Sequence, residues 1–237
     1  MLPCLQQSEC VALASYLVTH GRRSGDNALV VNPGKLKGGA LTCGPAVPHL
    51  FFGNLQTLAE WTRADRKTDR GINSMNWAPL LNHLRERFAI DWHGAHGASH
   101  WVRVRKNGLI LAQTTRANVK VVELFSFFHD SCRINEYADH DHGKRGAELA
   151  VTLRGDLFDA TDEEMVLLVE ACTGHSDGDV DADADVTVQT CWDADRLDLG
   201  RVGIKPAAKY LCTSAAKDPV MMKSAYQRSL GKQSRQN

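Results

Sequence analysis

The chain of 237 residues carries no net charge, since Lys+Arg and Asp+Glu each number 28. Broad electrostatic binding to nucleic acid or to an anionic membrane surface needs an excess of basic residues, so neither is expected as a partner. No cysteine pair has the C-x-x-C spacing of a zinc ribbon or a thiol redox motif. The seven cysteines are scattered at positions 4, 10, 43, 132, 172, 191 and 212. An odd, scattered set reads as reduced thiols in a cytoplasmic protein, not as a disulfide framework. No apolar run approaches the roughly 18 residues of a spanning helix. The apolar stretch Cys10 to Val18 has no basic leader, because no Lys or Arg precedes Arg22, so no secretory signal is expected. No internal repeat is visible.

What is present divides the chain in two. Hydrophobic residues make up 43% and charged residues 24%, ordinary values for a globular protein. Residues 21–48 hold six glycines and three prolines, too much punctuation for a long helix. Gly34, Gly38 and Gly39 hint at a phosphate loop, but no Gly-Lys-Ser/Thr follows, and the motif fails without it. Residues 62–74 (TRADRKTDRGINS) are charged and poor in apolar residues, as a linker is. Residues 1–74 are therefore read as an irregular N-terminal extension of unknown role, partly disordered or packed on the adjoining domain. Residues 75–237 are read as a helical domain.

Trp77, Leu80, Leu81, Leu84 and Phe88 recur at one-face helical spacing. A turn rich in Gly and His (His93 to Gly97) precedes a second helix beginning near Ser99. Residues 118–129 (NVKVVELFSFFH) are apolar almost all round, as in a buried central helix, although their β-branched residues also admit a strand. A helix over Asp141 to Leu153 would turn Ala147, Leu149 and Ala150 inward. Thr161-Asp-Glu-Glu is a capping-box start, followed by the stripe Met165, Leu168, Val169 and Cys172. Further helices are expected over Val186 to Leu199 and Asp218 to Leu230. The fold class is all-α.

Seven of the ten histidines lie between positions 93 and 175, and several fall where the pattern requires core. His129 ends the most apolar segment, and Asp130 follows at once. A buried aspartate is unfavourable unless paired or bound to a cation. Imidazole and carboxylate are ordinary ligands of a divalent metal. Alone, such a pair is ordinarily a helix-end cap or a satisfied core histidine. Here it lies between His100-Trp101-Val102-Arg103-Val104 and Ala194-Asp195-Arg196-Leu197-Asp198. The acidic run Asp177 to Asp185 lacks the Gly and Glu of a calcium loop and reads as a solvated connection.

With these residues in order, the chain resembles the HD-domain superfamily of metal-dependent phosphohydrolases over about residues 77–205. The family pattern is a histidine in an H-x-x-R-V context, a tandem His-Asp, and a distal aspartate in an A-D-x-L context. It falls on His100, His129, Asp130 and Asp195. The resemblance implies an HD-type helical bundle and favours the helix over 118–129. Binuclear members carry two more histidines between the tandem pair and the last aspartate, and His142 and His175 stand in those places. His140 competes with His142, which the following Gly143 and Ala147 favour. The string from Asp91 to Trp101 resembles an HD subgroup of unassigned function, with His93 and His96 at the pocket mouth.

The resemblance implies one or two divalent ions, with Mn, Mg, Fe, Ni, Co and Zn all admitted. The ligand set would be His100, His129, Asp130, His142, His175 and Asp195. It implies hydrolysis of a nucleotide or another small phosphate ester, a small-molecule partner. Asp130 would hold the attacking water. Arg133 and Lys144 would bind the anion, because guanidinium suits phosphate and a helix N-terminus favours negative charge. Arg103 and Arg145 are further candidates, and any of these basic residues could equally pair with Glu136, Asp139, Asp193 or Asp198. The same four-His, two-Asp set resembles that of HD-type di-iron oxygenases. A ligand-sensing HD module without catalysis is a third reading. The oligomeric state is left open.

Overall fold

The computed structural model describes residues 76–177 and 180–231; the extension read over residues 1–74 lies outside them. The fold is all-α, and the described residues contain no strand beyond an isolated bridge of Arg154 with Phe158.

Helix α1, Ala78–Arg87, has Pro79 in its first turn, where a missing N–H is harmless, and buries Leu80, Leu81 and Leu84 on one stripe. Helix α2, Ala98–Thr115, starts only after Gly97, so His96 stays outside it. Helix α3, Val119–Phe128, is capped by Asn118, whose side chain accepts from the amide of Val121. Seven of its ten residues are buried, and it packs against α2 and three later helices. Those are α4, His142–Leu153, α5, Asp162–Gly174, and α6, Val186–Arg196. The capping box at Thr161 forms in full: the Thr161 hydroxyl accepts from the Glu164 amide, and Glu164 accepts from the Thr161 amide.

Trp101, Phe125, Phe127, Phe128 and Leu168 are fully buried around α3. Each such side chain contributes about 1.5–3 kcal/mol when fully buried, so the end of α3 sits in the driest part of the bundle. A smaller cluster of Leu111, Leu197, Leu211, Ala216 and Ala225 joins α2 to the last of the described helices. These are α7, Ser214–Lys217, and α8, Pro219–Ser229.

The helix expected to run to Leu199 ends at Arg196, and Leu199–Val202 forms a short 3-10 turn closed by Gly203 at φ 79°. Gly200 within it lies against α8, where a Cβ would collide with the Ser229 hydroxyl. This change of direction turns Asp198 back toward α2, with consequences for the site. Asp193 on α6 is buried but satisfied: it accepts from the amides of Cys212 and Thr213 and from the Thr213 hydroxyl.

Candidate metal centre

Five helix ends meet at one buried point. His100 comes from the first turn of α2, His129 and Asp130 from the end of α3, and His142 from the start of α4. His175 caps α5, and Asp195 is the penultimate residue of α6. All six are buried. Asp130 is central: its Oδ2 is 3.3 Å from His100 Nε2 and 3.6 Å from His129 Nε2, and its Oδ1 is 3.1 Å from His142 Nε2 and 3.8 Å from His175 Nε2. Asp195 Oδ1 lies 3.3 Å from His100 Nε2. The donors form two groups that could each hold a metal ion, His100–His129–Asp130 and Asp130–His142–His175.

The far side of each ring decides what the near side can do. His129 Nδ1 donates to the Phe125 carbonyl at 3.0 Å and His175 Nδ1 to the Cys172 carbonyl at 2.7 Å. His142 Nδ1 donates to the Asp139 carbonyl, and His100 Nδ1 to Asp198 Oδ2 at 2.8 Å. A neutral imidazole with its hydrogen on Nδ1 presents a bare lone pair at Nε2. The bonds therefore fix all four rings with Nε2 inward, as outer partners do around metal-bound histidines. Two lone pairs then face each other at 3.0 Å (His100 and His129) and at 2.8 Å (His142 and His175). Such a contact repels unless a proton or a cation lies between. Ligands about 2.1 Å from one ion stand about 3 Å apart, the spacing found here. Asp195 Oδ1 is also buried without a hydrogen-bond partner among the described residues. The donor set fits a divalent ion.

The helix packing that brings the second pair together requires glycine at 143. A Cβ there would collide with the Cys172 carbonyl and approach the His175 ring to 2.9 Å. Only a bare backbone lets the start of α4 lie against the end of α5.

Protonation follows from the same geometry. Burial opposes charge on His100, and Arg201 opposes it too, yet the neighbouring carboxylates of Asp130, Asp195 and Asp198 prevail and raise it to about 9. His129 is lowered to about 3, chiefly by burial. Burial pushes the carboxyls of Asp130 and Asp195 up, but the surrounding histidines, with Arg201 beside Asp195, hold both well below the usual range. Burial likewise opposes charge on His175, and its contact with Asp130 raises it.

Arg133 lies inside the centre, with Nη1 3.2 Å from Asp130 Oδ1 and 3.1 Å from His142 Nε2. Its Nη2 donates to the Tyr137 carbonyl and its Nε to the Asn135 carbonyl. Lys144 is exposed on the first turn of α4. His140 and His93 are exposed, while His96 is buried with Nδ1 2.5 Å from Glu136 Oε2. Arg103 grips Asp198 through Nε at 2.7 Å and Nη2 at 3.0 Å.

Ser176 and Arg201 of the centre have no motif to announce them, and Asp198 is visible in the sequence only as a possible ion-pair partner of the basic residues. Ser176 places its hydroxyl 3.3 Å from His142 Nε2 and 3.2 Å from His175 Nε2. Asp198 supports His100 from behind. Arg201 reaches back from the 3-10 turn toward Asp195. For Arg201 the i, i+3 spacing from Asp198 is the sequence signal, and it is a common one. No helix among the described residues is long and apolar enough to cross a membrane. Comparisons with protein-family models, with curated proteins and with solved structures return no match to this chain.

Proposed function

We propose that the chain is a metal-dependent phosphohydrolase of the HD kind, acting on a nucleotide or another small phosphate ester. The observation that supports this reading is the Asp130-centred cluster. Its donors come from five helix ends, with every imidazole locked from behind and its Nε2 turned inward. A divalent ion held by such donors supplies a lowered pKa for a coordinated water and counter-charge for phosphoryl oxygens.

Hydrolysis adds the water oxygen to phosphorus, breaks the ester P–O bond and passes a proton to the leaving oxygen. In this reading Asp130, ionised at neutral pH, holds and orients the attacking water. Arg133, hydrogen-bonded to Asp130, holds that carboxylate in place and sets positive charge beside the reacting group. Lys144, exposed on the first turn of α4, would meet the outer part of the anion.

The full chain, stripped of metal and reloaded separately with each of Mn²⁺, Mg²⁺, Co²⁺, Ni²⁺ and Zn²⁺, is to be screened on nucleotides and on p-nitrophenyl phosphate mono- and diesters. Ester cleavage is expected with at least one metal, and a loss of about 100-fold or more in His129→Ala and Asp195→Ala. Undiminished cleavage by His129→Ala with its metal still bound would sink the mechanism. Bound iron that consumes dioxygen, with no ester cleaved, would move the site to the oxygenase class.

A further inference from the structure

We infer that Arg201 is an anion-binding residue of this centre, placed to take the non-bridging oxygens of a phosphoryl group beside Asp195. The inference rests on the phosphohydrolase reading for its substrate class and on separate observations for the residue.

The Arg201 side chain is 8% exposed. Its Nε and Nη1 are buried with no hydrogen-bond partner among the described residues. Buried guanidinium donors are normally satisfied, because a charge removed from water needs replacement partners. The nearest carboxylate oxygens are Asp195 Oδ1 at 3.6 Å and Asp198 Oδ2 at 4.0 Å. Those distances balance charge without engaging the donors. Asp198 is already held by both His100 and Arg103, so it does not require Arg201.

The other arginines around the centre are committed. Arg133 spends its donors on Asp130, Tyr137 and Asn135. Arg145 is bonded to Asp139 and to the Cys132 carbonyl. Arg228 also has an unpartnered Nε, but its Nη2 donates to Asn107 at 2.8 Å. Arg201 alone of these joins unused donors to a position against a candidate metal-binding carboxylate.

An orphan donor, Arg201 Nη1, and an orphan acceptor, Asp195 Oδ1, thus lie side by side. An apolar ligand satisfies neither. A cation on Asp195 carrying an oxyanion that also reaches Arg201 satisfies both. The planar fork of guanidinium suits two oxygens of one phosphoryl group, so a phosphate ester or its inorganic product is the fitting class.

The test is calorimetric titration of inorganic phosphate into the Mn²⁺-loaded full chain. Wild type is expected to bind phosphate, Arg201→Met about 100-fold more weakly, and Arg201→Lys about tenfold more weakly, all with the wild-type metal content. Unchanged phosphate affinity in Arg201→Met would overturn the inference. So would loss of the metal in both variants, which would make Arg201 a counter-charge to Asp195 and nothing more. Acetate binding as tightly as phosphate would overturn the phosphoryl class. Phosphate binding that needs Arg201, in a protein that cleaves no ester, would leave this inference standing and remove the hydrolase reading. Ester cleavage indifferent to Arg201→Met would do the reverse.

Discussion

The two donor groups that share Asp130 are built from the same residue types and yet differ in what already satisfies them. On the His142–His175 side, the Arg133 guanidinium lies within hydrogen-bond distance of Asp130 Oδ1 and His142 Nε2, and the Ser176 hydroxyl reaches both rings. On the His100–His129 side Arg201 stands 3.6 Å from Asp195 Oδ1 without a hydrogen bond to it. There His100 must carry a proton to relieve the facing lone pairs, and Asp195 Oδ1 remains an orphan. One side is a site whose donors protein groups partly satisfy; the other leaves a carboxylate oxygen unsatisfied and two rings face to face. The His100–His129 side should therefore bind the first and tighter ion. The second ion must compete with Arg133.

The largest effect should come from the residue the two sides share. Asp130→Ala leaves Arg133 and a protonated His100 buried without their central carboxylate. Breaking buried pairs of this kind costs about 3–5 kcal/mol, and both ions should be lost. Thermal unfolding and metal analysis report the two effects, and Asp130→Asn keeps the volume if the alanine variant does not fold. An Asp130→Asn protein that retained one tight ion would show that the groups are independent. Next come the paired single deletions. His129→Ala should weaken the first ion by about 100-fold, whereas His175→Ala should leave it within about threefold. Equal losses in a metal titration would break the asymmetry.

Acidity separates the two states of the centre. His100 has its folded pKa raised from 6.5 to about 9, so its contribution to the metal-free fold is complete below pH 6.5 and disappears as pH rises to about 9. His129, lowered to about 3, acts in the opposite sense: stability falls as pH drops from 6.5, because the unfolded chain takes up a proton that the folded one refuses. Metal-free protein should thus be most stable near pH 6.5 and lose on the order of 3 kcal/mol by pH 9. With excess Mn²⁺ the trend above pH 6.5 should reverse, because the ion displaces the His100 proton and binds more tightly as that proton becomes easier to remove. Denaturant midpoints across this range check the sign. The same slope with and without metal would place the ion away from His100.

What the sequence shows of this centre follows from how each residue is placed. His100, His129, His142, His175 and Asp195 belong to helix ends, and helix ends announce themselves through caps, glycines and apolar periodicity. The Thr161 box, the Gly97 break and the stripe of α1 are local, and the sequence alone is enough to read them. Arg133 is equally visible as a basic residue near Asp130, but its commitment to the Tyr137 and Asn135 carbonyls depends on how the 131–141 loop folds back. Arg201 is hidden for a related reason. Its approach to Asp195 depends on the early end of α6 and on Gly200 seating against α8, both long-range packing events.

A smaller effect addresses Arg133 directly. Arg133→Met removes a cation from the second side while keeping much of the bulk. The second ion should then bind about tenfold more tightly, as loss of a nearby like charge allows, with the first ion changed little. A second stoichiometric step in a Mn²⁺ titration, absent or weak in wild type, is the expected record. Unchanged second-site affinity would mean that Arg133 moves aside at no expense, and the two sides would then differ less than their hydrogen bonds indicate.

The smallest effect separates helix stability from site geometry. Thr161 and His175 bound the two ends of α5, about 20 Å apart at 1.5 Å per residue. Thr161→Ala removes the hydroxyl that accepts from Glu164 and breaks the capping box, a loss of about 1 kcal/mol. His175 is held at the opposite end by its bond to the Cys172 carbonyl and by the Gly143 contact between α4 and α5, and neither depends on the first turn. Thr161→Ala should therefore lower the unfolding midpoint while leaving metal stoichiometry and both affinities unchanged. If the second ion alone weakened, the His142–His175 side would be seen to draw its geometry from the whole length of α5. Its weaker hold on metal would then reflect a softer scaffold as well as the competition from Arg133.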